Sequence, residues 1–276
     1  MARYLVTGAN GGMGRAICRA LTDRGDEVVG IDLKAPEETT PWTVIPADLC
    51  DPASLAAAFD AIAAGGRLDG VIHAAGLYDL GSLVEMGEAE FLRIFNVNLF
   101  GAYRVNRLAL PFFAPGARIV LITSELAPLD PLPFTGIYAI TKTALDAYAD
   151  ALRMELQLLG YPVVTIRPGA VDTGMLPAST AALERFCAST GLYGVNAARF
   201  REIVDRVEAK KVPPERLARV VTRALTERRP KLVYALNRNP LLRLLDLLPR
   251  RLQLAVIRRI LKKPNKIGRA SCRERV

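Results

Sequence analysis

The sequence predicts an α/β fold, a doubly wound parallel sheet with helices on both faces, formed by residues 1–240 as one domain. Three observations predict it. Short β-branched or apolar runs alternate with segments whose apolar residues recur every 3.6 positions. A glycine-rich turn joins the first such run to the first helical segment. The chain has 276 residues, 51% hydrophobic and 24% charged, enough to bury one full core without requiring a second.

In chain order, strands are expected at residues 3–7, 27–32, 43–46, 68–73, 118–123, 162–166 and 231–235. Helices are expected at 14–24, 52–64, 88–110 and 138–159. Strands that alternate with helices must cross over, which makes the sheet parallel and covers both faces. Residues 168–196 break the alternation with Pro168, Gly169, Gly174, Pro177, Gly191 and Gly194, and read as a functional loop or lid. Its apolar residues Leu176, Leu183, Phe186, Leu192 and Tyr193 predict an apolar pocket.

Residues 241–266 read as basic amphipathic helices, in two pieces interrupted at Pro249. Apolar Leu252, Val256, Ile257, Ile260 and Leu261 stand against Arg250, Arg251, Arg258, Arg259, Lys262 and Lys263. That face is expected to pack on the domain or on a partner subunit, with peripheral contact to an anionic membrane surface as the alternative. Residues 267–276, Ile-Gly-Arg-Ala-Ser-Cys-Arg-Glu-Arg-Val, read as the translation of a sequencing adapter and are left out of the expected fold. Cys272 is then not a native cysteine.

The formal charge of +9 is unevenly spread. Residues 243–263 set seven cations against Asp246, and the last ten residues set three arginines against Glu274, so residues 1–242 are balanced. A nucleic-acid surface over the main domain is therefore not expected. Cys18, Cys50, Cys187 and Cys272 form no Cys-x-x-Cys pair and the single histidine, His73, is near none of them, so neither a metal site nor a disulfide framework is expected. The first residues run directly into an apolar strand without a secretory pattern, and no apolar run is long enough to span a bilayer. A cytoplasmic protein is expected.

The turn Thr7-Gly8-Ala9-Asn10-Gly11-Gly12-Met13-Gly14 lies between a strand and a helix. Its glycines let backbone amides approach a pyrophosphate at the helix N-terminus. Asp32, at the end of the second strand, can accept from both ribose hydroxyls and repel a 2′-phosphate, which favours NAD over NADP. Lys34 leaves NADP open, and Asp32 could instead cap the strand end. Further on, Tyr138 and Lys142 stand four apart at the start of a helix and share a face. A nearby ammonium would draw a phenol down from its ordinary value near 10 toward neutral pH, where it can exchange a proton.

Over residues 1–240 the chain resembles the short-chain dehydrogenase/reductase family, on seven motifs in the family's order. The glycine turn comes first, then Asp48-Leu49, the adenine contact, and His73-Ala74-Ala75-Gly76, where the family usually writes Asn-Asn-Ala-Gly. Next come Asn98-Leu-Phe-Gly101, Ile122-Thr123-Ser124, Tyr138 to Lys142, and Arg167-Pro168-Gly169-x-Val171-x-Thr173. The resemblance implies a Rossmann-like oxidoreductase that passes a hydride between a nicotinamide cofactor and an alcohol or ketone. It implies that Ser124 binds the substrate oxygen, Tyr138 transfers the proton, and Lys142 holds the nicotinamide ribose while lowering the tyrosine pKa. Asn98 would support a water, and Pro168, Gly169, Val171 and Thr173 would position the nicotinamide. His73 is read as a packing or hydrogen-bonding residue. The pattern Arg-Pro-Lys-Leu-Val-Tyr at 229–234, with the leucine- and arginine-rich end, resembles the retinol and hydroxysteroid dehydrogenase-like members, so the expected partner is a small hydrophobic alcohol or carbonyl compound. A homo-oligomer, dimer or tetramer, is expected.

Two other readings stay open. The spacing Gly8-x-x-Gly11-x-x-Gly14 also fits the sugar-nucleotide epimerases and dehydratases of the same superfamily, although a large C-terminal substrate domain is missing. A cofactor-sensing binding protein without turnover would keep the fold, although the full set Asn98, Ser124, Tyr138 and Lys142 argues for chemistry.

Overall fold

A computed structural model describes residues 1–173, 175–206 and 211–262, without the side chains of 175–179, 205 and 206. Gly174, Lys263 and the segment 267–276 lie outside the described residues, as do the side chains of Leu176 and Pro177. The strands are β1 (Arg3–Thr7), β2 (Glu27–Asp32), β3 (Thr43–Pro46), β4 (Leu68–His73), β5 (Phe113–Ile122), β6 (Val163–Pro168) and β7 (Val233–Leu236). All pair in parallel in the order β3-β2-β1-β4-β5-β6-β7, so the strand order reverses direction between β1 and β4. This is the predicted Rossmann-like sheet, and ligands of such sheets bind at the carboxyl ends beside that switch point.

Alternation along each strand builds two cores. Leu5, Val71, Ile119 and Leu121 point to one face, under α2 (Pro52–Ala64), α4 (Gly101–Ala109) and α5 (Gly136–Leu156). Tyr4, Val6, Ile72, Val120 and Ile122 point to the other, under α1 (Gly12–Thr22) and α8 (Pro214–Thr226). Local chemistry sets the helix ends. Asp51 caps α2 by accepting from Ala53 N at 2.9 Å, with Pro52 at the first position. Buried Arg3 closes the other end, its Nη1 donating to the carbonyls of Ile62 and Gly66, both at 2.9 Å.

Four expectations need correction. The single helix foreseen at 88–110 is α3 (Glu88–Phe95), a π-turn at Asn96–Phe100 and then α4. The extra residue in the π-turn breaks the regular ladder where Asn98 must face inward. The strand foreseen at 118–123 begins at Phe113, because the register shifts between Leu68 and Gly70 and lets β5 extend past a bulge. The segment 168–196 is largely helical, with α6 (Met175–Ser189) and α7 (Gly194–Arg206). Ala182, Leu183 and Phe186 fall on one face of α6 and are buried against Phe134 and Phe200, so Leu183 and Phe186 form the core of a cap, and Leu192 is exposed.

The C-terminal segment forms α9 (Pro240–Asp246) and α10 (Arg250–Leu261) on either side of Pro249, as expected. Its apolar residues split rather than share a face. Gln253, Ile257 and Leu261 turn inward at i, i+4 spacing, while Leu252, Val256 and Ile260 on the neighbouring row stay exposed. No helix among the described residues is long and apolar enough to cross a membrane.

Candidate active site

At the carboxyl end of β1, Gly8 turns the chain with φ +70, a conformation that suits glycine. A Cβ there would lie 2.7 Å from the Ala75 backbone, so the turn sits directly against the strand β4 motif. Thr7 Oγ1 accepts from Ala75 N at 3.3 Å and joins the two. Gly14 is equally constrained, since its Cβ would fall 1.9 Å from the Gly8 carbonyl oxygen. Helix α1 then starts at Gly11 with no side-chain cap, which leaves its first N–H groups for an external anion. The buried Asn10 Oδ1 has no partner, and Gly12 faces Thr173 at a distance that excludes a side chain. Uncapped amides at the first turn of α1 and no room for Cβ atoms fit a dinucleotide pyrophosphate, and the orphaned Asn10 Oδ1, an acceptor, fits a hydroxyl donor such as a ribose.

Asp32 closes the turn from β2. Its carboxylate accepts from Asn10 N at 2.9 Å and Leu33 N at 2.8 Å, so the capping role is realised, with lone pairs left for a ribose. Asn10 Nδ2 donates to the Lys34 carbonyl, which holds the residues after β2 against the loop. Asp48 Oδ1 accepts from Cys50 N at 2.8 Å, and Leu49 lies buried beneath Gly101. Met13 packs on the α1–α8 core.

Tyr138 and Lys142 project from the first turns of α5. Ser124, just past the end of β5, is near enough to the Tyr138 hydroxyl to draw its pKa down, and Leu126 N donates to Ser124 Oγ at 3.2 Å. Lys142 Nζ donates to the Ile122 carbonyl at 3.1 Å and sits 5.8 Å from the centre of the Tyr138 ring. Asn98, delivered by the π-turn, accepts from Leu77 N at 2.7 Å and donates to Leu77 O and Thr141 Oγ1, each at 2.9 Å. These groups meet at Gly76, where a Cβ would lie 3.3 Å from Lys142 Nζ and 3.5 Å from Asn98 Oδ1. The structure thus brings Asn98, Ser124, Tyr138 and Lys142 around one point, with Ala74, Ala75 and Gly76 beneath.

The electrostatics depart from the expected lowering of the tyrosine. Burial pushes the Tyr138 phenol up to about 12, and only the Ser124 hydrogen bond works the other way. Burial also lowers the Lys142 ammonium to about 8, because a charged amine loses hydration there. Desolvation outweighs the Ser124 contribution, so the phenol stands above its ordinary value.

His73 plays the expected packing and hydrogen-bonding part. Its Nε2 donates to Asn106 Oδ1 at 2.7 Å, Asn106 Nδ2 donates to Tyr148 at 3.1 Å, and burial holds the imidazole down at about 4. On β6, Arg167 grips Asp146 of α5 through Nε and Nη2, and Thr123 Oγ1 donates to the same carboxylate at 3.2 Å. Pro168 accepts from Glu125 N at 2.8 Å, Gly169 has no room for a Cβ against Asn237 O, and Val171 bridges Val212.

Sequence reasoning missed Thr141, which is fully buried and links Asn98 to the Tyr138 carbonyl by donating to it at 2.8 Å. It also missed Tyr78, whose ring meets that of Tyr138 edge-on at 4.8 Å, and Glu125, buried beside Ser124 with its carboxylate accepting from Asn239 N at 2.6 Å. Thr141 could have been found inside the Tyr-to-Lys spacing, since a hydroxyl one residue before the lysine is free to bond back to the helix.

Comparison with known proteins follows the same motifs. The sequence profile of the short chain dehydrogenases matches residues 3–184. A 3-ketodihydrosphingosine reductase of Bacteroides thetaiotaomicron is 25% identical over 228 residues, 82% of this chain and 84% of that protein. Versicolorin reductase 1 of Aspergillus parasiticus is 32% identical over 62% of this chain and 70% of its own length. Among solved structures, the aldohexose dehydrogenase of Thermoplasma acidophilum superposes with a TM-score of 0.71 at 23% identity, over 87% of this chain and 95% of that one. A 3-ketoacyl-(acyl-carrier-protein) reductase from Brucella melitensis complexed with NADH gives 0.68 at 22%, over 85% and 96%.

Proposed function

This chain belongs to the short chain dehydrogenase family and is an oxidoreductase acting on CH–OH or keto groups, and from that premise we propose that it reduces a lipophilic ketone with a nicotinamide dinucleotide, Tyr138 giving the proton. The observation that carries this reading is the cluster in which Lys142 and Asn98 meet at Gly76, with the Tyr138 ring beside Lys142 and Ser124 beside Tyr138.

The glycine turn from Gly8 to Gly14, Asp32, Asp48 and Leu49 would hold the adenine half of the cofactor, and Ala74, Ala75, Gly76, Pro168, Gly169, Val171 and Thr173 the nicotinamide half. When bound, the nicotinamide supplies or takes the hydride. The residues of the chain handle the substrate oxygen and its proton. Ser124 and Tyr138, close neighbours, would present two hydroxyls to a carbonyl oxygen. A phenol raised to about 12 is protonated at neutral pH and so carries the proton that a carbonyl substrate would need. As the proton leaves, negative charge grows on the Tyr138 ring, and the Lys142 ammonium beside it stabilises that charge. Asn98 holds Leu77 and, through Thr141, the first turn of α5, so the phenol does not drift from its partner.

Asp32 supports NAD as the preferred cofactor, because its carboxylate would face a 2′-phosphate. Support for a ketone comes from the name of the 3-ketodihydrosphingosine reductase relative, and the apolar cap over the site suits a hydrophobic body, steroid- or retinoid-like included. Tyr138→Phe is expected to lower turnover by about 10²–10⁴ while NADH binding persists; full activity in that variant would refute the role. A parallel titration of NADH and NADPH should give the tighter binding to NADH, and equal binding would remove Asp32 as the selector. Assembly as a dimer or tetramer belongs to the same reading and is checked by analytical ultracentrifugation.

A further inference from the structure

A cavity of about 730 Å³ lies beside the catalytic cluster but is not part of it. Gly136 and Ile140 of α5 line it, four residues apart on one face. Tyr138 and Lys142 are offset from them by two residues, about 200° around the helix, and neither they nor Ser124 lines the cavity. The walls come from residues 81–84, residues 131–134, the start of α7, and α10. Leu83, Pro133, Phe134, Ile140, Ile257 and Leu261 make the lining apolar. Leu83 and Leu254 remain 48% and 57% exposed, so an apolar surface is left uncovered.

The charge around this space has one sign. Arg250, Arg258 and Lys262 line it, and among the described residues no carboxylate does. Arg250 is engaged by Asp130, whereas Arg258 and Lys262 have no anionic partner among the described residues. Lys263 and Lys266, which follow in the sequence, carry the same charge. The volume lies within the range of small-molecule pockets.

We propose that this cavity is a second binding site for a single-chain anionic amphiphile, its alkyl chain between α5 and α10 and its acid headgroup on Arg258 and Lys262. The site needs no turnover and stands independently of the oxidoreductase reading. Helix α10 and Lys262 just past it supply one wall and both cations, which gives the C-terminal segment a task apart from the sheet.

Isothermal titration of the full chain with dodecyl phosphate, below its micelle concentration, tests this. The expected result is saturable one-to-one binding that weakens about fourfold for each methylene removed from the alkyl chain. Arg258→Gln with Lys262→Gln should weaken it about tenfold or more, and Ile257→Trp, which fills the cavity, should abolish it with the circular dichroism spectrum unchanged. Tyr138→Phe should bind as the parent does; loss of binding there would put the amphiphile in the catalytic pocket and overturn the proposal. Equal affinity for dodecanol or dodecyltrimethylammonium would overturn it, as would indifference to both cavity variants. So would binding to phosphatidylglycerol vesicles without binding to monomeric dodecyl phosphate, or a dimer that Ile257→Glu dissociates and that takes up no amphiphile.

Discussion

The carboxyl edge of the sheet and the helical cap above it are held together by different means. At the edge, buried side chains bond to backbone or to one another: Lys142 to the Ile122 carbonyl, Asn98 to Leu77 and Thr141, Asp146 to Arg167 and Thr123, His73 to Asn106. In the cap, α6 is tied down by Arg185, 61% exposed, reaching Asp79, and residues 190–192 by exposed Glu85, which accepts from Thr190 Oγ1, Gly191 N and Leu192 N. An aromatic hub supplies the rest, with Phe134 held at φ +67 among Phe186, Tyr193 and Phe200. Buried bonds are strong because their alternative is an unsatisfied group, while exposed pairs contribute little. The edge is therefore held by buried polar bonds, and the cap by an apolar cluster with polar contacts that reach solvent.

The largest effect that separates the two regions is a pH dependence of stability. The imidazole of His73 titrates at about 4 in the fold and at its ordinary 6.5 in the unfolded chain. Between those values the unfolded chain binds a proton that the folded one refuses, so stability falls as pH drops from 6.5 to 4, by about 3 kcal/mol. Denaturant melts of the parent and of His73→Asn at pH 7 and pH 4 check this. The variant should lose less stability than the parent over the interval, and parallel losses would remove His73 as the source.

Next in size is the loss of the bonds that orient α5. Asn98→Leu leaves Leu77 and Thr141 without their partner, and misplacing the phenol should cost about a hundredfold in kcat. Thr141→Val should act in the same direction by about tenfold, since it removes one bond of the relay. Thr141→Ser, which keeps the hydroxyl, should restore the rate. Both losses should fall on kcat with KM little changed; a change in KM alone would show that these residues shape the pocket rather than the proton donor.

The same contrast explains what the sequence made legible. Strand and helix order and the parallel sheet rest on local period, and Gly8 on a turn with one allowed geometry, written residue by residue. Ser124, Tyr138 and Lys142 were legible through the resemblance's motifs and their order. The cap is held by partners more than 100 positions apart, such as Asp79 with Arg185 and Glu85 with Leu192, and no local pattern announces them. Residues 168–196 therefore read as a loop, although α6 carries a buried face through Leu183 and Phe186. The π-turn at Asn98 was hidden because the apolar period continues through it, and the high value of Tyr138 because burial is a property of the assembled site.

The smallest expected effect tests whether the cap is separable. Arg185→Ala and Glu85→Gln each remove exposed contacts that hold α6 and residues 190–192 to the body. For Arg185→Ala the global stability should change by less than about 1 kcal/mol, because the guanidinium is largely in solvent and Asp79 keeps Arg93 as a partner. Glu85→Gln retains an acceptor for the amides of Gly191 and Leu192 and loses the charge, so its effect should be smaller still. If the cap closes over substrate, both variants should raise KM for a bulky ketone while leaving kcat and NADH affinity at the parent values. Local hydrogen exchange in residues 180–192 should rise with no matching rise in β4 or β5. A fall in kcat or a loss of global stability would mean that the cap and the sheet edge are one cooperative unit, and the division between a fixed floor and a releasable cover would not hold.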